Sequence, residues 1–136
     1  MFGVQQTIST LIVTRGDAAA LVACCEYLMS LSASGQPYRV HYAVDGLICL
    51  AAPHSITLTI PQQAFLQQMG YRDAAEMQAA LLATANAVTY CRTWAEVHEV
   101  RPDLLSFDGN VPRTASTPAI VAEALAAEPP ATILTV

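Results

Sequence analysis

The sequence contains no lysine. That excludes Schiff-base chemistry and the usual phosphate-binding P-loop, both of which need a side-chain amine. The six arginines stand singly along the chain and the net charge is -5, so no basic stripe exists to neutralise a phosphate backbone, and nucleic acid is not an expected partner. No apolar run approaches the ~18 residues of a membrane span. The N-terminus also lacks a basic segment followed by an apolar stretch and a small-residue cleavage site. The expectation is a cytoplasmic protein that does not enter a membrane. Cysteine pairs of the CxxC type are missing, as are GxGxxG, GxSxG, HExxH and paired-carboxylate arrangements. Without three or four Cys or His ligands at a recognisable spacing, no metal is expected. The segment after the first strand has no phosphate-cradling loop of the flavodoxin kind, and no cofactor is expected either.

What is present is apolar. Hydrophobic residues make up 54% of the 136 positions and charged residues 12%. A chain of this length reads as one domain, 1–136, able to bury roughly two-thirds of its unfolded surface. With so few charges to clothe it, burial of further surface by self-association is expected.

The hydrophobic pattern alternates between short apolar runs and helical spacing. Ile8 to Thr14 is a β-branched run ending at Arg15-Gly16-Asp17, a breaker followed by an N-cap residue, so a buried strand leads into a helix over Ala18 to Ser32. Tyr38 to Val44 predicts the second strand, broken by Asp45-Gly46 before a short helix over Leu47 to Ala52. The stretch from Pro53 to Tyr71 reads as an insertion or lid, with Ser55 to Ile60 strand-like between two prolines and Gln62 to Met69 helical. Asp73 caps a helix over Ala74 to Ala85, which precedes the third strand, Ala87 to Tyr90. Arg92 to Val100 has helical spacing, Leu104 to Phe107 reads as a short strand or turn, and Thr117-Pro118 starts a last helix as cap and first-turn proline. Ala131 to Val136 closes as a strand. This alternation predicts a three-layer α/β/α sandwich with a mostly parallel sheet of about five strands.

In such sheets reactive groups gather at the carboxyl ends of the strands. Three places qualify: Arg15, Gly16 and Asp17 after the first strand, Asp45 and Gly46 after the second, and Cys91 after the third. Only Cys91 is a nucleophile. A thiol in the first turn of a helix feels the positive end of the helix dipole, which favours the thiolate, and Arg92 adds a neighbouring cation. The competing reading is that Cys91 is one more packed, inert cysteine. Cys24 and Cys25 read as core residues of the first helix, and Cys49 as a core residue that could also flank the strand-end pocket. His98, seven positions after Cys91 and two turns along the same helix face, would be a proton partner only if the helix bends back and reads rather as a surface or interface residue; His41 reads as a satisfied strand residue, and His54 as a loop residue beside the strand-end pocket with no special claim on it. Asp17 and Asp45 read as cap and turn.

Four pieces, TLIVTRGDAAAL, AVDGLICL, AVTYCRTWAEVHEVRPDLL and VAEALAAEPPATILTV, occur in an order that resembles the DsrE/DsrF-like family of small sulfur-carrier and sulfurtransferase proteins over nearly the whole chain. The third piece is the most specific. The resemblance implies that Cys91 takes sulfane sulfur as a persulfide and hands it to a partner thiol. It also implies sulfur donor and acceptor proteins as partners and a homo-oligomer, trimer or hexamer. The chain departs from the family pattern at PHSITLTIPQQ and at LLSFDGNVPRTAST. The alternative from another class is a non-catalytic oligomeric domain of the same fold that binds a small ligand or acts as a scaffold.

Overall fold

The computed structural model describes residues 7–136, so the first six positions, where the leader reading and the start of the 1–136 domain fall, lie outside the described residues. Five strands form one sheet in the order β4-β3-β2-β1-β5, and every pairing is parallel. They are β1 (Ser9–Val13), β2 (Tyr38–Tyr42), β3 (Ala87–Tyr90), β4 (Arg113–Thr114) and β5 (Ile133–Thr135). The helices are α1 (Ala18–Ala33), α2 (Gly46–Ala51), α3 (Ile60–Gln68), α4 (Ala74–Ala83), α5 (Arg92–Val97) and α6 (Thr117–Ala126).

The order follows from handedness. Steps from β1 to β4 all move one way across the sheet, so right-handed crossovers place their helices on one face; the return from β4 to β5 places α6 on the other. Side chains of β2 show both faces. Tyr38, Val40 and Tyr42 join the core with Leu21, Leu28, Met77 and Leu82 of α1 and α4, and the Tyr38 hydroxyl lies 2.6 Å from the Leu81 carbonyl. Arg39 and His41 point the opposite way: Arg39 pairs with Glu123 of α6 at 3.1 Å, and His41 Nε2 lies 2.9 Å from the Thr117 hydroxyl. The result is a three-layer α/β/α sandwich. No helix among the described residues is long and apolar enough to cross a membrane.

The helix starts follow local chemistry. Asp17 accepts from Ala20 N at 2.8 Å, Asp73 accepts from Glu76 N at 2.8 Å, and Thr59 with Gln62 forms a reciprocal capping box ahead of Pro61. Three expectations need correction. Of the two readings of Leu104 to Phe107 the turn holds and the strand does not, since Pro102–Leu104 closes a 3-10 turn and Phe107 pairs with Asn110 across a tight turn; the fourth strand is Arg113–Thr114. That turn runs through Asp108 and Gly109, both with positive φ. The cap of α6 is Ser116, which accepts from Ala119 N, leaving Thr117 free to bond His41. Ser55 to Ile60 joins no strand; it leads into the capped start of α3.

His41 is fully buried, with Nδ1 2.8 Å from the Thr89 hydroxyl and Nε2 on Thr117. A neutral ring is fully satisfied by two hydroxyls, each able to donate or accept. Burial first, and the Arg39 charge second, push its pKa down to about 4. The unfolded chain therefore takes up a proton near 6.5 that the folded chain refuses. Stability is whole above that pH, falls as pH drops from 6.5 to about 4, and levels below it. The expected loss is at most about 3 kcal/mol. Urea unfolding across this window checks it, and His41→Asn should remove the slope while lowering stability at neutral pH.

Candidate functional site

Because all five strands run parallel, their carboxyl ends share one edge, where the loops after β1, β2 and β3 meet. Two glycines lock the first two loops together. A Cβ on Gly46 would overlap the Val13 carbonyl at the end of β1, and one on Gly16 would lie 2.6 Å from the Asp45 carbonyl oxygen. Ala43 N donates to Val13 O at 3.0 Å, and Gly46 N donates to Ala43 O at 2.9 Å. Between them Val44 takes φ 53, left-handed backbone that a β-branched residue adopts only under constraint.

In the first loop Arg15 and Asp17 occupy each other. Arg15 Nη2 lies 2.7 Å from Asp17 Oδ2, while Asp17 Oδ1 caps α1. The Ala20 N–H, then the Arg15 guanidinium, hold the Asp17 carboxyl below its usual range. This pair organises the loop and offers no free base.

The third loop carries Cys91. Its N–H donates to Tyr42 O at 2.9 Å, fixing it beside the end of β2, and its carbonyl accepts from Ala95 N. The residue is partly exposed and its side chain caps no N–H of α5. The other three thiols differ in kind. Cys24, Cys25 and Cys49 are fully buried, and burial pushes Cys25 and Cys49 up to about 12 and Cys24 well above the ordinary thiol value. Cys49 donates its Sγ–H to the Arg15 carbonyl of the first loop at 3.3 Å, from a fully buried position behind the strand-end edge. Arg92 is turned along α5 onto Glu96, 3.2 Å away and largely exposed. It also lines a hollow of about 360 Å³ beside the ends of β3 and β4, with Tyr90, Glu96, Arg101 and Asp103; Cys91 is not part of that lining. His54 lines a separate pocket of about 380 Å³ with Ile56, Leu58, Leu66 and Arg72, formed by the 53–71 segment against the start of α4.

His98 has its partners outside its own helix. It ends α5, is partly buried and turns back to the β2 loop, with Nε2 3.1 Å from the Val44 carbonyl and 3.3 Å from Asp45 Oδ1. Trp94, one turn earlier, sets its ring 6.3 Å from the imidazole, tilted by 34°. Asp45 makes no side-chain cap for α2, so its carboxylate is free to take this role. The strand-end edge thus holds a thiol, an imidazole and a carboxylate on adjoining loops, with the thiol the one nucleophile among them. No protein-family model matches this chain, and no curated protein matches it.

Proposed function

We propose that the protein is a cytoplasmic sulfur-relay protein of the DsrE/DsrF type that accepts sulfane sulfur on Cys91 and passes it to a partner thiol. The observation that carries this reading is the contrast among four reduced cysteines: three are sealed in the core with their protonated forms favoured, and Cys91 alone is open, at the strand-end edge. In the loading step the Cys91 thiolate attacks the outer sulfur of a donor persulfide. The donor S–S bond breaks, a new S–S bond forms at Cys91, and the donor leaves as a thiolate that takes up a proton, with no net oxidation. Attack by the acceptor's thiolate on the new outer sulfur repeats the exchange and restores Cys91. No cofactor is required. Val97 and Leu104, exposed on and just after α5, give apolar area for a docking partner or for the subunit contacts of a trimer or hexamer.

Incubating the reduced protein with polysulfide should add the mass of one sulfur atom to the Cys91 peptide and to no other. Cys91→Ser should abolish the adduct without loss of fold. Sulfur on Cys24 or Cys49 with Cys91 untouched would reject the assignment, and full biological function in Cys91→Ser would favour the non-catalytic binding or scaffold role.

A further inference from the structure

We propose that the hollow at the ends of β3 and β4 is a binding site for a small zwitterion of the α-amino-acid kind. Cys91 is not part of its lining, and the inference does not rest on the sulfur relay. Topology places an opening there. The connection leaving β3 enters α5, whose Ala95 joins the core on the α1 and α4 face; the connection leaving β4 enters α6, which packs on the opposite face through Thr117 and Glu123. After β1 and β2, by contrast, α1 and α2 both join the same core. Neighbouring parallel strands whose connections part to opposite faces leave a crevice outside their carboxyl ends, where open α/β sheets seat their ligands. The hollow of about 360 Å³ lies at that place, at the small end of the range for small-molecule sites.

Tyr90 is the residue that points to a ligand. It ends β3 opposite Thr114 of β4 and is 5% exposed, with its ring in the core, yet its hydroxyl has no hydrogen-bond partner among the described residues. No sealed side-chain oxygen or nitrogen among those residues lacks a partner, so this hydroxyl is not sealed; the hollow, which Tyr90 lines, is where it opens. Burial, then the Asp103 carboxylate, push its pKa up, while the Arg101 and Arg92 guanidiniums pull it down. All three charges therefore lie close enough to act on a hydroxyl that stays protonated and able to donate at neutral pH.

The lining sets the charge of the ligand. Arg92 and Arg101 bring two positive charges, Glu96 and Asp103 two negative ones. Arg92 meets Glu96 through Nε alone, and Arg101 meets Asp103 through Nε and Nη2, so both guanidiniums keep N–H groups without a partner among the described residues. The four side chains are well exposed, and ion pairs of this kind are weak enough for a ligand to rearrange. A plain anion would have to compete with two carboxylates already in place, and a plain cation with two guanidiniums. A ligand carrying both charges extends the pairs instead of breaking them. Its carboxylate accepts from the Tyr90 hydroxyl and the remaining guanidinium N–H groups, and its ammonium donates to Glu96 and Asp103. Ala95 and Val100 offer its side chain an apolar wall.

The test is titration of the nitrogen-labelled full chain with each common amino acid in turn, followed by backbone amide shifts. Saturable shifts with at least one of them, confined to the ends of β3 and β4 and to residues 92–103, are expected. For the best binder, the N-acetyl derivative and the carboxamide each lack one charge and should bind at least about tenfold more weakly. Tyr90→Phe removes one oxygen, keeps the ring in the core and should weaken binding about tenfold; Arg101→Gln should cost at least as much. Arg72→Gln, at an exposed arginine paired with Glu76 outside this hollow, should leave binding unchanged, as should Cys91→Ser. The proposal is overturned if no amino acid saturates or if the shifts gather elsewhere. It is equally overturned if inorganic phosphate or the N-acetyl derivative binds as tightly, or if Tyr90→Phe with an intact amide spectrum binds like the wild type.

Discussion

Raising the pH above 9 is expected to unfold the protein with an unusually steep slope. The ordinary thiol loses its proton near 9.0, whereas burial holds Cys25 and Cys49 protonated up to about 12 and Cys24 also well above the ordinary value. For a group whose folded pKa is raised, the unfolded chain is the one that releases protons first, so stability is full below the unfolded value and falls as pH climbs toward the folded one. Each thiol contributes about 1.4 kcal/mol per pH unit in that window, and three together give a slope of about 4. Two units above the ordinary thiol value the loss is about 8 kcal/mol, within the range of a whole domain's stability. Tyr42, fully buried among these thiols, is pushed up as well and adds to the slope above 10. Urea unfolding in reducing buffer at several alkaline pH values reads the slope directly. Cys25→Ala should lower it by about a third, at an ordinary core-truncation penalty. A slope worth one thiol or less would mean that water reaches the helix-sheet layer.

The same burial concentrates chemistry at the strand ends, because thiols held protonated inside the core are poor nucleophiles near neutral pH. Four cysteines are thereby reduced to one candidate. Much of this was legible from the order of residues. β1 is a buried, largely apolar run of the kind a sheet covered on both faces requires, while β2 alternates Tyr38, Val40 and Tyr42 with Arg39 and His41. Asp17 and Asp73 announce their helices because a carboxylate before an apolar-periodic stretch satisfies free N–H groups. Cys91 stands out because it sits where a strand ends and helical spacing begins.

The parts that were not legible depend on contacts between distant segments. β4 is two exposed residues, Arg113 and Thr114, paired only to β3, and an edge this short carries no apolar pattern. Gln78 of α4, a polar residue, is buried, with its amide donating 2.7 Å to the Cys49 carbonyl and its oxygen 3.4 Å from the Tyr42 hydroxyl. His98 is the clearest case. Its partners lie more than fifty positions away, and one of them is a carbonyl turned toward it by left-handed backbone at a valine, a residue type that spacing rules assign to extended strand. The sequence signal that could have found it is the Asp45-Gly46 break itself, which places a carboxylate at the end of β2 with no helix N–H to cap.

Substituting Gly46 by alanine is expected to be the most damaging single-methyl change in the strand-end edge. The added Cβ would overlap the Val13 carbonyl oxygen, a backbone atom at the end of a central, fully buried strand that already accepts from Ala43 N. No flexible side chain is available to give way. Relief requires the ends of β1 and β2 to part, which breaks the Val13–Ala43 hydrogen bond and shifts Val44 and Asp45, the two residues that hold His98. Backbone overlap of this kind belongs at or beyond the upper end of overpacking penalties, about 3 kcal/mol, and should lower Tm by about 10 °C. Gly35→Ala is the matching control. Gly35 has φ +71 with nothing near its missing Cβ, so only left-handed strain of about 1 kcal/mol is expected there. Thermal unfolding of both variants separates steric overlap from backbone preference. A Gly46→Ala protein as stable as Gly35→Ala would mean that the strand ends have slack.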